Sequence, residues 1–250
     1  MRQPDCKPYL VGNARLESSG RAQRLLLGRA SAEHYHDAQL DDYHHLARSQ
    51  MLWRPPLTLS LRARFSHGCE RLRGTAGFGF WNHPILLPRS PWPALPRALW
   101  FFFASPPSDM RLDAQVPGFG WKAATIDASR LGFLLLAPTA PLAFPLMRVP
   151  ALARALWPIG QTALGVREAA LHAPMDDWHR YQIEWQAERA RFWVDEQLVL
   201  ESRFVPRAPL GLVLWIDNQY AIVTPQGRFG AGLLQIEDEQ WLEIEDLRIE

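Results

Sequence analysis

Residues Leu57–Phe65 read LTLSLRARF. In an extended chain Leu57, Leu59, Leu61, Ala63 and Phe65 point one way and Thr58, Ser60, Arg62 and Arg64 the other, the two-residue period of a half-buried β-strand. The same period recurs on both sides of this stretch. Gly74–Trp81, GTAGFGFW, sets Phe78 and Phe80 against Gly77, Gly79 and Trp81, and the glycines leave room above the backbone on Trp81's side. Ala98–Ala104, ALWFFFA, is apolar on both faces and predicts a central strand covered from both sides. Arg180–Trp185 alternates Tyr181, Ile183 and Trp185 with Arg180, Gln182 and Glu184, and Arg189–Asp195 alternates Ala190, Phe192 and Val194 with Arg191 and Trp193. Asp195-Glu196-Gln197 then turns the chain into Leu198–Glu201, a hairpin. Leu210–Ile216 and Trp241–Ile249 add two strands, the last changing phase between Ile244 and Leu247 as a bulge does. Many short strands with few helical patterns predict an all-β sandwich, one domain over residues 1–250.

Residues 131–165 depart from this pattern. The segment is apolar, contains no acidic residue, and holds its best short helix at Val149–Trp157, so it reads as a helical, proline-rich insertion between strands. It serves as a lid on one sheet, as a homo-oligomer contact, or as a surface for a hydrophobic ligand or membrane with Arg148 and Arg154 at headgroup height. Pro138, Pro141 and Pro145 interrupt Leu131–Met147, so no transmembrane segment is expected. The start, MRQPDCKPYL, has no apolar signal core, and Cys6 and Cys69 are too few for a disulfide scaffold, so a cytoplasmic chain is expected.

The 250 residues carry 27 Lys plus Arg against 26 Asp plus Glu, and a net charge of +1 argues against a nucleic-acid partner. The charge is uneven, +9 over residues 1–165 and −8 over 166–250, as internal pairing within one fold would require. Lys7 and Lys122 are the only lysines. Arginine in a chain with 11 tryptophans permits sites for planar or ring-shaped ligands.

Asp177-Trp178-His179-Arg180-Tyr181-Gln182-Ile183-Glu184-Trp185, then Ala190–Asp195, Leu210–Ile216 and Trp241–Ile249, resemble the concanavalin A-like lectin/glucanase superfamily. The nearest resemblance is to glycoside hydrolase family 16, the laminarinase-like enzymes, with their W/F-H-x-Y-x-I-x-W strand, I-x-F-x-V-D-G hairpin and closing D-x-V-R-V strand. LTLSLRARF and GFGFW sit where that family has two further strands, so the resemblance covers roughly residues 50–130 and 176–250. It implies a jelly roll of two antiparallel sheets whose concave face holds an extended glycan. The family's catalytic E-x-D-x-x-E belongs on the strand after the Trp-rich one, which here is Ala98–Ala104 and has no carboxylate. The catalytic residues do not carry over, and Glu196 stands where the hairpin usually has glycine.

A non-hydrolytic, carbohydrate-binding jelly roll is therefore the expected function, with a small-molecule or glycan ligand. The expected ligand-binding residues are Arg62, Arg64, Trp81, Trp100, Phe102, Lys122, Trp215, Asp217 and Asn218, because aromatic faces stack on sugar rings while Arg, Asp and Asn reach hydroxyls. The competing reading is a divergent glycoside hydrolase or other enzyme using Asp217, Asp127 or Asp109 as acid or base in the same cleft. Asp127 is paired in that reading with Lys122, in GWKAATIDAS. Each tryptophan also has a plain alternative as sandwich core, and Asp217-Asn218 as a turn closure. His34, His36, Asp37, Asp41, Asp42, His44 and His45 crowd into twelve residues, but their spacing fits no standard zinc pattern. No cofactor or catalytic metal is expected. A structural calcium would draw on Asp37 or Asp41.

Overall fold

A computed structural model describes residues 4–85 and 87–250. The chain runs through β1 (Lys7–Val11), β2 (Ala14–Ser19), β3 (Ala22–Leu27), β4 (Asp37–Asp41), β5 (Leu57–Phe65), β6 (Thr75–Trp81), β7 (Arg97–Ala104) and β8 (Gly120–Asp127). Helices α1 (Leu131–Leu136), α2 (Ala140–Met147) and α3 (Pro150–Leu164) follow. The second half is β9 (Arg167–Ala170), β10 (His179–Trp185), β11 (Ala190–Val194), β12 (Gln197–Ser202), β13 (Gly211–Asp217), β14 (Gln219–Val223), β15 (Phe229–Leu233) and β16 (Gln240–Ile249).

Two seven-stranded antiparallel sheets form the sandwich. One has the order β1-β4-β13-β6-β7-β8-β9 and the other β12-β11-β10-β5-β16-β3-β2, so the predicted all-β jelly roll is the fold. The period of two decides which side chains meet between the sheets. Phe78 and Phe80 of β6 and Phe101 and Phe103 of β7 point inward to Tyr181, Trp185 and Phe192 from the opposite sheet, all fully buried. Tyr181 packs edge-on against Phe78 and Phe101 at 5.1 and 5.0 Å, and Phe192 against Phe101 at 5.4 Å, the geometry that aromatic quadrupoles favour.

The hairpin and the bulge lie where the sequence puts them. Asp195 and Glu196 both take positive φ, 47° and 70°, as a two-residue turn between β11 and β12 demands. Pairing of β16 with β5 shifts between Glu245 and Arg248, around Asp246 at φ 54°.

The insertion is more helical than the sequence predicted. Instead of one short helix at Val149–Trp157 it forms three, and α3 continues to Leu164 with Pro158 inside it. A proline removes one backbone bond without forcing the following residues out of helical geometry, so a helix packed along its length survives it. Gly165, at φ 65°, closes α3 in a left-handed conformation. Much of the insertion's apolar surface stays in solvent: Leu131 is 70% exposed, Leu142 77% and Ile159 58%. No helix among the described residues is long and apolar enough to cross a membrane.

Candidate functional site

The outward face of the β1-to-β9 sheet is built in rows fixed by strand register. One row runs Gln39, Trp215, Gly77, Phe102, Lys122, and the next Asp41, Val213, Gly79, Trp100, Ala124, Glu168. Gly77 therefore sits between Trp215 and Phe102, and Gly79 between Val213 and Trp100, and the space above each is used. A Cβ on Gly77 would lie 2.2 Å from the Phe101 carbonyl oxygen and 2.9 Å from the Trp215 ring, and one on Gly79 would lie 2.7 Å from Trp100 Cβ. Gly79 also holds φ at 149°, which a side chain would strain. Over these glycines the rings join into one platform: Trp100 lies 5.7 Å from Trp81, 5.3 Å from Phe102 and 5.5 Å from Trp215. Trp81 and Trp100 are half-buried, whereas Phe102 and Trp215 are covered by Tyr43, Met51, Leu87 and Met110.

The polar rim comes from the segment after β4. His44 Nδ1 donates to Asp41 Oδ2 at 2.5 Å, and Asp41 also accepts from the Tyr43 and His44 backbone N–H groups and from Gln39 Nε2. Burial raises the Asp41 carboxyl, but its bonds from His44 and Gln39 outweigh this and hold it below the usual carboxylate range. The imidazole is thus fixed in orientation, with Nε2 on its far side. Its ring stacks on Tyr9 at 4.1 Å and meets His83 edge-on at 5.9 Å. Burial and the neighbouring His44 bring His83 down to about 4, so it is neutral beside Trp81, 4.8 Å away. Trp81 Nε1 donates to the Tyr43 hydroxyl at 2.7 Å, which fixes the indole's tilt.

At the β9 end of the rows Lys122, 1% exposed, reaches Glu168 at 3.4 Å. Burial pushes the ammonium down and the carboxyl up, and their mutual attraction opposes both shifts. At the end of β13, Asp217 is paired across the ladder with Asp37, and both are buried. Burial raises Asp217 to about 6 and Asp37 well above its usual range, the latter further by the Asp217 charge. Thr75 donates to Asp217 Oδ1 from both its N–H and its hydroxyl, and so does the Gln219 N–H.

Of the residues expected to bind ligand, Trp81, Trp100, Phe102, Lys122, Trp215 and Asp217 share this face. Arg62 and Arg64 do not. They stand on β5 in the other sheet, where Arg64 binds Glu243 at 2.8 Å, Arg62 binds Glu245, and both guanidinium groups lie over Trp178. The alternating pattern correctly turned them away from the core but could not say from which sheet they would point. Asn218 is structural: it accepts from the His36 N–H and donates to the Ser31, His34 and Leu234 carbonyls, which exhausts its amide. Asp127 stands at the other end of β8 from the Asp217 row and on the opposite face from Lys122, bonded to Ser129, so it shares no cleft with either. Asp109 lies in the loop before β8, 3.7 Å from Arg228. The sequence pattern weighed Asp41 and His44 only within a metal-like cluster and overlooked them as a rim; the density of His and Asp was the available signal. Glu168 gave none, because only the β8 to β9 pairing brings it to the row.

The family model for Glycosyl hydrolases family 16 matches residues 152–205, from within α3 through β12. This span includes the His179–Asp195 motif, whereas LTLSLRARF and the closing strand lie outside it. No curated protein matches the chain. Among solved structures, a glycosyl hydrolase family protein from Mycobacterium fortuitum is similar at 11% identity and TM-score 0.49, over 95% of this chain and 78% of that one. A legume lectin-like domain from Entamoeba histolytica is similar at 8% identity and TM-score 0.49, over 95% and 87%. An alginate lyase is similar at 9% identity and TM-score 0.47, over 92% and 74%. The chain is thus similar to glycoside hydrolase family 16 over residues 152–205, a span that includes β10, β11 and β12 of one seven-stranded sheet.

Proposed function

We propose that the protein binds a carbohydrate on the outward face of the β1-to-β9 sheet and does not cleave it. The observation that carries this reading is the Trp81–Trp100 platform, half open to solvent and laid over glycines, with His44 and Glu168 on its flanks. A pyranose ring stacks its C–H face on indole, and imidazole nitrogens and carboxylate oxygens hydrogen-bond its hydroxyls.

The carboxylates speak against hydrolysis. Glycosidases hold two carboxyl groups about 5–10 Å apart across the scissile bond. Asp41 and Glu168 lie in one row but five strand spacings apart, roughly 24 Å at about 4.8 Å per strand. Asp37 and Asp217 are adjacent, but both are buried, at 1% and 4% exposure, and Asp217 is already bonded to Thr75 and Gln219, which puts the pair out of reach of a glycan. The test is a panel of neutral and acidic oligosaccharides screened by thermal shift, each then assayed for new reducing ends. A stabilising hit without new reducing ends is expected. New reducing ends would transfer the assignment to a hydrolase, and no hit across the panel would remove the reading.

A further inference from the structure

A further cavity lies away from the aromatic platform, at the opposite end of the sandwich from Asp217. It measures about 1130 Å³, is open to solvent, and is lined by α1 and α3, the start of β7, the end of β8, the β10–β11 hairpin and the segment joining β12 to β13. Four arginines line it: Arg97, Arg130, Arg203 and Arg207. None of them has a carboxylate within 4 Å among the described residues, although this fold pairs its arginines freely elsewhere. Arg97 Nε is buried without a partner, and burial lowers the affinity of that guanidinium for its proton. Asp127 and Glu188 also line the cavity, so its wall retains a net excess of two positive charges. Asp127 Oδ1 is already engaged by Ser129.

The remaining wall is aliphatic, with Leu131, Leu136 and Ile159 leading from the arginines toward solvent and 70%, 37% and 58% exposed. No aromatic side chain lines it, in contrast to the Trp100 platform. Between Ala128 and Arg167 the chain carries four arginines and no acidic residue, so nothing on the insertion repels an anion. Unpaired guanidinium groups in a partly desolvated pocket call for a carboxylate or phosphate, and aliphatic walls call for hydrocarbon rather than a sugar ring.

We propose that this cavity binds an anionic amphiphile, its phosphate or carboxylate held by Arg97, Arg130, Arg203 and Arg207 and its hydrocarbon chain lying against Leu131, Leu136 and Ile159. The site is independent of the carbohydrate reading and stands or falls without it.

Isothermal titration with dodecyl phosphate below its micellar concentration tests the proposal, with inorganic phosphate and dodecyl maltoside as head-only and neutral-head probes. Saturable one-to-one binding of dodecyl phosphate is expected, at least tenfold tighter than either control. The exposed pair R203Q/R207Q is expected to weaken it at least tenfold, and Ile159→Ser several-fold, with circular dichroism and Tm near wild type. Equal affinity for inorganic phosphate would overturn the amphiphile in favour of a plain anion site. Binding only to vesicles containing phosphatidylglycerol would overturn the cavity in favour of a bilayer surface. Heat that tracks self-association, followed by light scattering, would make the insertion a subunit contact and overturn it too, as would variants that bind like wild type.

Discussion

The two sheets turn their outer faces to the same solvent but use them differently. On the β12-to-β2 sheet the outward residues neutralise one another: Glu243 is shared by Arg24 at 3.1 Å and Arg64 at 2.8 Å, Arg191 holds Glu201 at 2.6 Å, and Trp178 and Trp241 lie under guanidinium groups. On the β1-to-β9 sheet the outward residues are large rings over glycines, and charge is confined to the ends of the rows. A face whose tryptophans are already stacked by arginine has spent its binding capacity internally. A face whose two half-open tryptophans, Trp81 and Trp100, carry no guanidinium retains it.

The most severe way to break this contrast is at Gly77. Gly77→Ala forces a Cβ into the Phe101 carbonyl and the Trp215 ring, and is expected to cost about 3 kcal/mol and lower Tm by about 10 °C in a thermal melt. A near-neutral result would mean that the platform does not need its glycines. On the other sheet the most sensitive point is Glu243, 3% exposed beneath two arginines. Glu243→Gln leaves both guanidinium groups without their anion and is expected to cost about 2 kcal/mol, read by urea denaturation, with no effect on carbohydrate binding.

Asp217 sharpens the contrast through pH. Burial lifts its folded value from 3.8 to about 6, so it holds its proton more tightly folded than unfolded. Such a group adds stability at low pH and loses that contribution as pH rises through roughly 4 to 6. Asp217→Asn keeps an oxygen for Thr75 and Gln219, removes the titration, and is expected to raise Tm at pH 8 by about 4 °C while matching wild type near pH 4. A difference that grows toward acid instead would refute the assigned burial. The smallest effect belongs to Arg62, 44% exposed beside Glu245: Arg62→Ala is expected to cost less than about 0.5 kcal/mol and to leave ligand binding unchanged.

Arg62 also marks the limit of what the sequence discloses. LTLSLRARF set every side chain of β5 on its correct side, because burial of one face is written into neighbouring residues. Which sheet β5 joins is decided by its pairing with β10 and β16, more than a hundred residues away in sequence, and no local pattern encodes that. The platform was legible because the small residues of β6 and the rings of β7 lie within single strands. Its rim was not, since His44 reaches Asp41 by a local turn but is placed beside Trp81 and His83 by chain crossings. The arginine cavity depends on five separate segments, none of which carries a motif of its own.

The account rests on the claim that Trp100 meets a sugar and Trp178 does not. Isothermal titration of the best oligosaccharide hit against Trp100→Ala and Trp178→Ala, each verified as folded by circular dichroism, compares two half-buried tryptophans on opposite sheets. The predicted result is at least a tenfold loss of affinity for Trp100→Ala and wild-type affinity for Trp178→Ala; the reverse order, or equal affinities, would contradict it.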